Sequence, residues 1–255
     1  AMVYDGIQRL VRARTDLYPV TLGGTAVGTG LNAPEGFAER AIAEIADRTG
    51  MPFAPVSNRF AAQGAHDALV ALSAALRGIA SSLHKIADDI RLLACGPRAG
   101  LAELLLPANE PGSSIMPGKV NPTQCEAICM VTTQVMGFDT AIGFANAHGS
   151  LEMNVAKPLF ACNLLSSIRL LADATRCFTD YAVAGLVPDA DRIDAHLANS
   201  LMLVTALSPV IGYDNAARIA HHAYENNLSL RDAALDLDLI SADDFDRIVS
   251  PSDMV

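Results

Sequence analysis

The sequence predicts an all-α fold: a central bundle of long helices followed by a small C-terminal helical domain. Three observations predict it. Half of the 255 residues are apolar, only 5% are aromatic, and tryptophan is absent; alanine and leucine dominate, which favours helix over sheet. Apolar residues recur at alternating steps of three and four through two long segments, the seam of helices packed nearly parallel or antiparallel over many turns. Beyond about Pro188 the helical pieces become short and carry their own caps.

Taken in order, the first feature is a turn-rich loop between Tyr18 and Pro34, built on Gly23, Gly24, Gly28 and Gly30. An amphipathic helix follows, with Phe37, Ala41, Ile42 and Ile45 on one face. The first long seam holds Leu69, Leu72, Leu76, Ile79, Leu83, Ile86, Ile90 and Leu93. A single helix from about Asn58 to Cys95 would run roughly 55 Å at ~1.5 Å per residue, before Gly96 and Pro97 stop it. The second seam holds Ile128, Val131, Val135, Phe138, Ile142 and Ala145. A third helix is expected from about Val155 to Ala182, with Leu164, Ile168, Leu171 and Phe178 on its stripe. Helices this long need neighbours to bury them. Alanines and serines beside the seams let them bury more than one face, so the bundle calls for more helices than one chain supplies, and self-association is expected. In the C-terminal part, Ser229 precedes LRDAAL and Ser241 precedes ADDFDRIV, each with an acid, Asp232 or Asp244, three residues on. Both read as serine N-caps with first-turn acids. The expected domains are residues 1–187, a bundle incomplete at its N-terminal end, and residues 188–255.

Acids outnumber bases 28 to 18, a net charge of −10. Nucleic acid and anionic membranes are thereby disfavoured as main partners. An anionic substrate is not, because a basic pocket can sit in an acidic protein. The five cysteines are scattered and odd in number, which suggests buried, reduced thiols in a cytoplasmic protein. Cys125 and Cys129 would share a helix face, but no CxxC, HxxxH or HExxH pattern accompanies them, so no metal site is expected. No signal-peptide pattern opens the chain, and no uninterrupted apolar run reaches the length of a membrane span.

The chemistry concentrates in EPGSSIMPGKVNPTQCE, Glu110 to Glu126. A phosphate-binding P-loop fails on spacing: five residues separate Gly112 from Gly118, and Val120 follows Lys119. A helix start fits the second half, with Asn121 as N-cap, Pro122 at the first helical position and Gln124 closing a capping box. That leaves GSSIMPGK to be explained. Gly112 and Gly118 bracket two hydroxyls and precede a lysine, with no further acid before Glu126. Such a loop can close over an anion, exclude water and present a serine. Lys119 and the positive end of the following helix would stabilise negative charge, including that of a serine alkoxide.

GSSIMPGKVNP resembles the characteristic loop of the fumarase/aspartase superfamily of homotetrameric helical lyases. LGGTAVGTGLN at Leu22–Asn32 resembles a second block of that superfamily. SIRLLAD at Ser167–Asp173, SLMLVTAL and IGYD within Ser200–Asp214, and MPGKVNPTQCE at Met116–Glu126 resemble the class II fumarase branch, over essentially the whole chain. Aspartases carry Ala where Gly118 stands. The resemblance implies reversible hydration of fumarate to (S)-malate without metal or other cofactor, through an aci-carboxylate dianion. It implies a small dicarboxylate substrate and a homotetramer whose sites combine segments of three subunits. By the same resemblance Ser113 is the base for the carbon proton, Ser114 contacts a substrate carboxylate, and Lys119 and Asn121 bind the carboxylate that gathers charge. Glu126 matches the acid that orients a catalytic histidine.

That histidine belongs to a Gly-Arg-Thr-His type motif upstream of the glycine block, and none of the six histidines here lies in such a motif. The sequence therefore resembles the C-terminal part of a fumarase, expected to be inactive alone. His148 reads as structural at a helix break, His221 and His222 as solvated, and Glu152 and Asn154 as shaping the region around that break. Two alternatives stand beside this reading: another lyase of the superfamily such as aspartase, and a non-catalytic helical assembly module.

Overall fold

A computed structural model describes residues 1–254. The glycine block leads into the bundle through short elements. Helix α1, Met2–Thr15, is followed by strand β1, Pro19–Val20, then α2, Phe37–Thr49, and β2, Ala54–Pro55. β1 and β2 pair in parallel, Pro19 opposite Ala54 and Val20 opposite Pro55. Between β1 and α2 the chain turns on glycines at positive φ. Gly28, at φ 102°, lies so close to the backbone of Arg59 and Phe60 that a Cβ there would come within 2.9 Å of the Phe60 nitrogen.

The long helix expected from Asn58 divides in two: α3, Arg59–Gly64, and α4, Asp67–Leu93. Asn58 does cap α3, its side chain accepting from the Ala61 N–H at 3.1 Å. The break at Ala65 and His66 has a local cause. Ala65 is extended, at φ −140° and ψ 160°. The His66 N–H is taken from outside the helix by Asn146 Oδ1, at 2.6 Å. Gly64 also packs against the carbonyl of Leu151, leaving no room for a side chain. At ~1.5 Å per residue, α4 alone is about 40 Å long.

Helix α5, Thr123–Ala147, and α6, Lys157–Tyr181, complete the bundle. α4 packs against α1 and α5, and α5 against α6. The core joins Leu76, Ala80 and Leu83 of α4 to Ile128, Val135 and Ile142 of α5 and to Phe160, Leu164 and Leu171 of α6. The predicted seams supply most of these. On α6 the stripe differs by one position: Ile168 is exposed and Ser167 is buried in its place. By length and composition α5 could cross a membrane, although Glu126 and Asp139 interrupt its apolar run. Its Ile128, Val135 and Ile142 instead pack with α4 and α6, and Asp139 in its middle accepts a hydrogen bond from Ser73 at 2.6 Å and pairs with Arg77 at 3.2 Å. It is a core helix of the bundle.

The chain forms two compact units: residues 1–95 with 106–186, and residues 96–105 with 187–255. The segment 96–105, placed with the bundle by the sequence, thus belongs with the C-terminal elements. Strand β3, Leu104–Leu105, pairs antiparallel with β4, Val187–Pro188. Helix α7, Ala190–Ala198, holds the same segment through Arg192, which donates to the carbonyls of Leu101 and Gly100 at 3.1 and 3.0 Å. His196 on α7 meets Glu103 at 2.7 Å.

The rest of this second unit consists of α8, Ser208–Ile211, α9, Tyr213–Asn226, α10, Leu230–Asp236, and α11, Ala242–Ile248. They enclose a core of Leu207, Ile219, Ala223, Leu230 and Phe245. Both predicted serine caps form: Ser229 accepts from the Asp232 N–H at 3.0 Å, and Ser241 from the Asp244 N–H at 3.2 Å. Each serine hydroxyl donates to the carboxylate of the same acid, at 2.7 and 2.8 Å.

Candidate active site

The loop between Leu106 and α5 is closed at its stem by side chains from both of its strands. Thr123 donates to the carboxylate of Glu110, and the Asn121 amide donates to the carbonyl of Gly112. Gly112 is forced by contact: a Cβ there would collide with the carbonyl of Lys119. The descending arm of the loop, Lys119 and Val120, therefore lies directly against Gly112. Asn109 ties the base of the loop to the end of α6, donating to the carbonyl of Tyr181 at 2.5 Å. Gly118, at φ 81°, lets the chain turn back, and the Lys119 N–H closes that turn on the Met116 carbonyl at 3.2 Å.

Ser113 sits at the head of this stem. Its hydroxyl oxygen accepts two backbone N–H bonds, from Ile115 at 3.3 Å and Met116 at 3.2 Å. Donors aimed at an oxygen favour its charged form. The turn is thus wound so that two peptide dipoles already face the atom that would carry an alkoxide. Ser114 and Lys119 are exposed, and the Lys119 ammonium has no ion-pair partner among the described residues.

Asn121 is not the N-cap that its position suggested. α5 begins at Thr123, the cap position falls on Pro122, and no side-chain cap bond forms, so Gln124 closes no capping box. The amide of Asn121 is engaged with Gly112. The first N–H groups of α5 keep no intrahelical partner and contribute the positive end of the helix dipole at the stem.

Glu126 stands one turn into α5, exposed, in a groove of about 470 Å³ that it shares with His84, Asp88 and Arg91 of α4. His84 is held by Thr132 at 2.8 Å. The Thr132 hydroxyl also donates to the Cys129 carbonyl at 2.9 Å. Burial pushes the Cys125 thiol up to about 11, and Cys129 shifts the same way for the same reason. Neither is a thiolate nucleophile near neutral pH. The cysteines are not uniformly buried as expected: Cys95, Cys162 and Cys177 are exposed.

The structure thus gathers Ser113, Ser114, Lys119 and Asn121 on one loop and places Glu126 just inside the helix it feeds. Sequence reading passed over Glu110, Thr123 and Asn109, which hold the stem. Their signal was present in the symmetric placement of polar residues on either side of the Gly112–Gly118 pair.

A family model described as lyase matches residues 1–137. The chain belongs to the lyase family. A second model, fumarase C C-terminus, matches residues 203–255. The chain is 55% identical over 250 residues to the class II fumarate hydratase of Neisseria meningitidis serogroup A, covering 98% of this chain and 54% of that protein. The class II fumarate hydratase of Parasynechococcus marenigrum is 56% identical, again over 98% of this chain and 54% of its own length. Among solved structures, the class II fumarase of Schistosoma mansoni matches with a TM-score of 0.94 at 42% identity, covering 98% of this chain and 56% of that chain. A fumarate lyase/delta crystallin of Brucella melitensis matches with a TM-score of 0.92 at 39% identity, covering 98% and 54% of the two chains. The chain spans about half the length of the curated relatives it matches.

Proposed function

We propose that this chain is part of a class II fumarate hydratase, which interconverts fumarate and (S)-malate, and that it does not turn over by itself. The observation carrying this reading is the Ser113 hydroxyl, which receives two backbone N–H bonds beside Lys119 and Asn121. The names of the relatives, fumarate hydratase class II, support it.

In the dehydration direction, Ser113 as alkoxide takes the proton from the carbon beside one malate carboxylate. The electron pair moves into that carboxylate, giving an aci-carboxylate dianion. It then returns to form the double bond as the C–O bond on the next carbon breaks, and the hydroxide leaves with a proton from an acid. Lys119 stabilises the doubly charged carboxylate, as oriented donors do where charge develops. Asn121 carries two amide hydrogens; one serves Gly112, and the other remains for substrate. Ser114 contacts a substrate carboxylate. Glu126 orients the catalytic histidine that the resemblance implies. The chain spans about half the length of its relatives, and turnover is expected of the full-length enzyme.

The test uses the absorbance of fumarate. The chain alone should give no turnover. In the full-length enzyme carrying this sequence, Ser113→Ala should lower kcat by roughly 10²–10⁴-fold, the usual contribution of one acid–base group. Undiminished turnover by that variant, or release of ammonia from aspartate in place of malate dehydration, would overturn the assignment.

A further inference from the structure

Beside the loop stem lies a half-open cleft with about 20 Å³ of water-sized space, bounded by both arms of the stem, by the first turn of α5 and by the end of α6, its rim including the exposed Asn109 and Glu110. A single water needs roughly 10–15 Å³ of such space and two to four polar partners. The volume therefore suits about one water molecule.

Its lining includes the polar side chains of Asn109, Glu110, Asn121, Thr123, Gln124 and Tyr181 and the Cys125 thiol. The hydrogen bonds already described use only part of their capacity. Asn109 and Asn121 each spend an amide hydrogen and keep a carbonyl oxygen, and Glu110 keeps a second carboxylate oxygen. The Gln124 amide has no hydrogen-bond partner among the described residues.

We propose that one ordered water occupies this cleft and bridges the ascending strand, 107–110, to the descending strand and first helical turn, 120–124. It would add a third tie to the two side-chain rungs, Asn121 to Gly112 and Thr123 to Glu110. A bridging water is nearly as favourable as a direct hydrogen bond. Its role is positional: it holds the stem and so keeps the Ser113 turn and Lys119 in register. The geometry of the stem carries this inference whatever reaction the loop serves.

A crystal structure resolving ordered waters should show one in this cleft, within hydrogen-bond distance of a group on each strand. Gln124→Met keeps the length of the side chain and removes its polar atoms. It should expel that water and speed amide hydrogen exchange over residues 113–119 by about 2- to 10-fold, the effect of losing one hydrogen bond from a local opening equilibrium. Gln124→Glu, which retains an acceptor, should keep both the water and the slow exchange. A cleft filled by a side chain, a water touching one strand only, or unchanged exchange in a folded Gln124→Met chain would each overturn the proposal. If Gln124→Met fails to fold, the water position in the unsubstituted chain decides alone. None of these readouts depends on fumarate turnover, so they succeed or fail separately from the functional assignment.

Discussion

Ser113 and Ser73 show two opposite uses of one side chain. Ser73 lies buried in the bundle and donates to Asp139, satisfying a carboxylate that is only 11% exposed. Ser113 instead accepts, collecting N–H groups from its own turn. The first arrangement stabilises a charge already present, and the second prepares an oxygen to carry one. His66 is a third case. It packs edge-on against Phe160, its Nε2 is buried without a partner, and burial, then the Lys157 ammonium, pull its pKa below the ordinary 6.5. The unfolded chain therefore binds a proton at His66 more readily than the folded one. Stability should fall as pH drops below about 6.5. Urea unfolding at pH 7.5 and 5.5 should show a larger loss for the unsubstituted chain than for His66→Gln, which cannot titrate; equal losses would remove His66 as the cause.

At the scale of elements, the interior of α5 carries the bundle. Ile128 is fully buried between α4 and α6, so Ile128→Ala should cost about 2–5 kcal/mol through lost burial and the cavity it leaves. A denaturant midpoint unchanged from the original would contradict that packing. The C-terminal helices depend more on their ends. Ser229 and Ser241 each cap a seven-residue helix, and Ser→Ala at either should cost ~1 kcal/mol in urea unfolding. These caps were legible in the sequence because a cap is a local event, read from a serine and an acid three residues later. The start of α5 was not. Asn121 has the residue type of a cap, but Gly112, nine positions earlier, takes its amide, and that competition exists only once the loop folds back. The break at His66 was hidden for the same reason: the group that removes its N–H from the helix, Asn146, lies at the far end of α5.

For the molecule as a whole, apolar side chains remain exposed along the long helices, among them Tyr4 and Ile7 of α1, Met130 and Phe144 of α5, and Leu165 and Ile168 of α6. Faces of this kind favour burial against further helices. If the homotetramer that the family resemblance implies forms from this chain, light scattering at micromolar concentration should give a mass of four 26.8 kDa chains; a monomer that persists on concentration would refute it. The sequence by itself determined the helical class, the seams of the bundle, the C-terminal caps and the loop that carries Ser113, Ser114, Lys119 and Asn121, with Glu126 in the helix that follows. Each of these is written in periodicity or in contiguous residue types. Only the tertiary structure decided that Ser113 faces two N–H groups, that Asn121 latches the loop instead of capping a helix, and that residues 96–105 pack with the C-terminal unit. The first is a local turn whose winding the residue types do not specify; the other two depend on which distant groups compete for the same hydrogen bonds and strand edges, and one-dimensional spacing does not encode that competition.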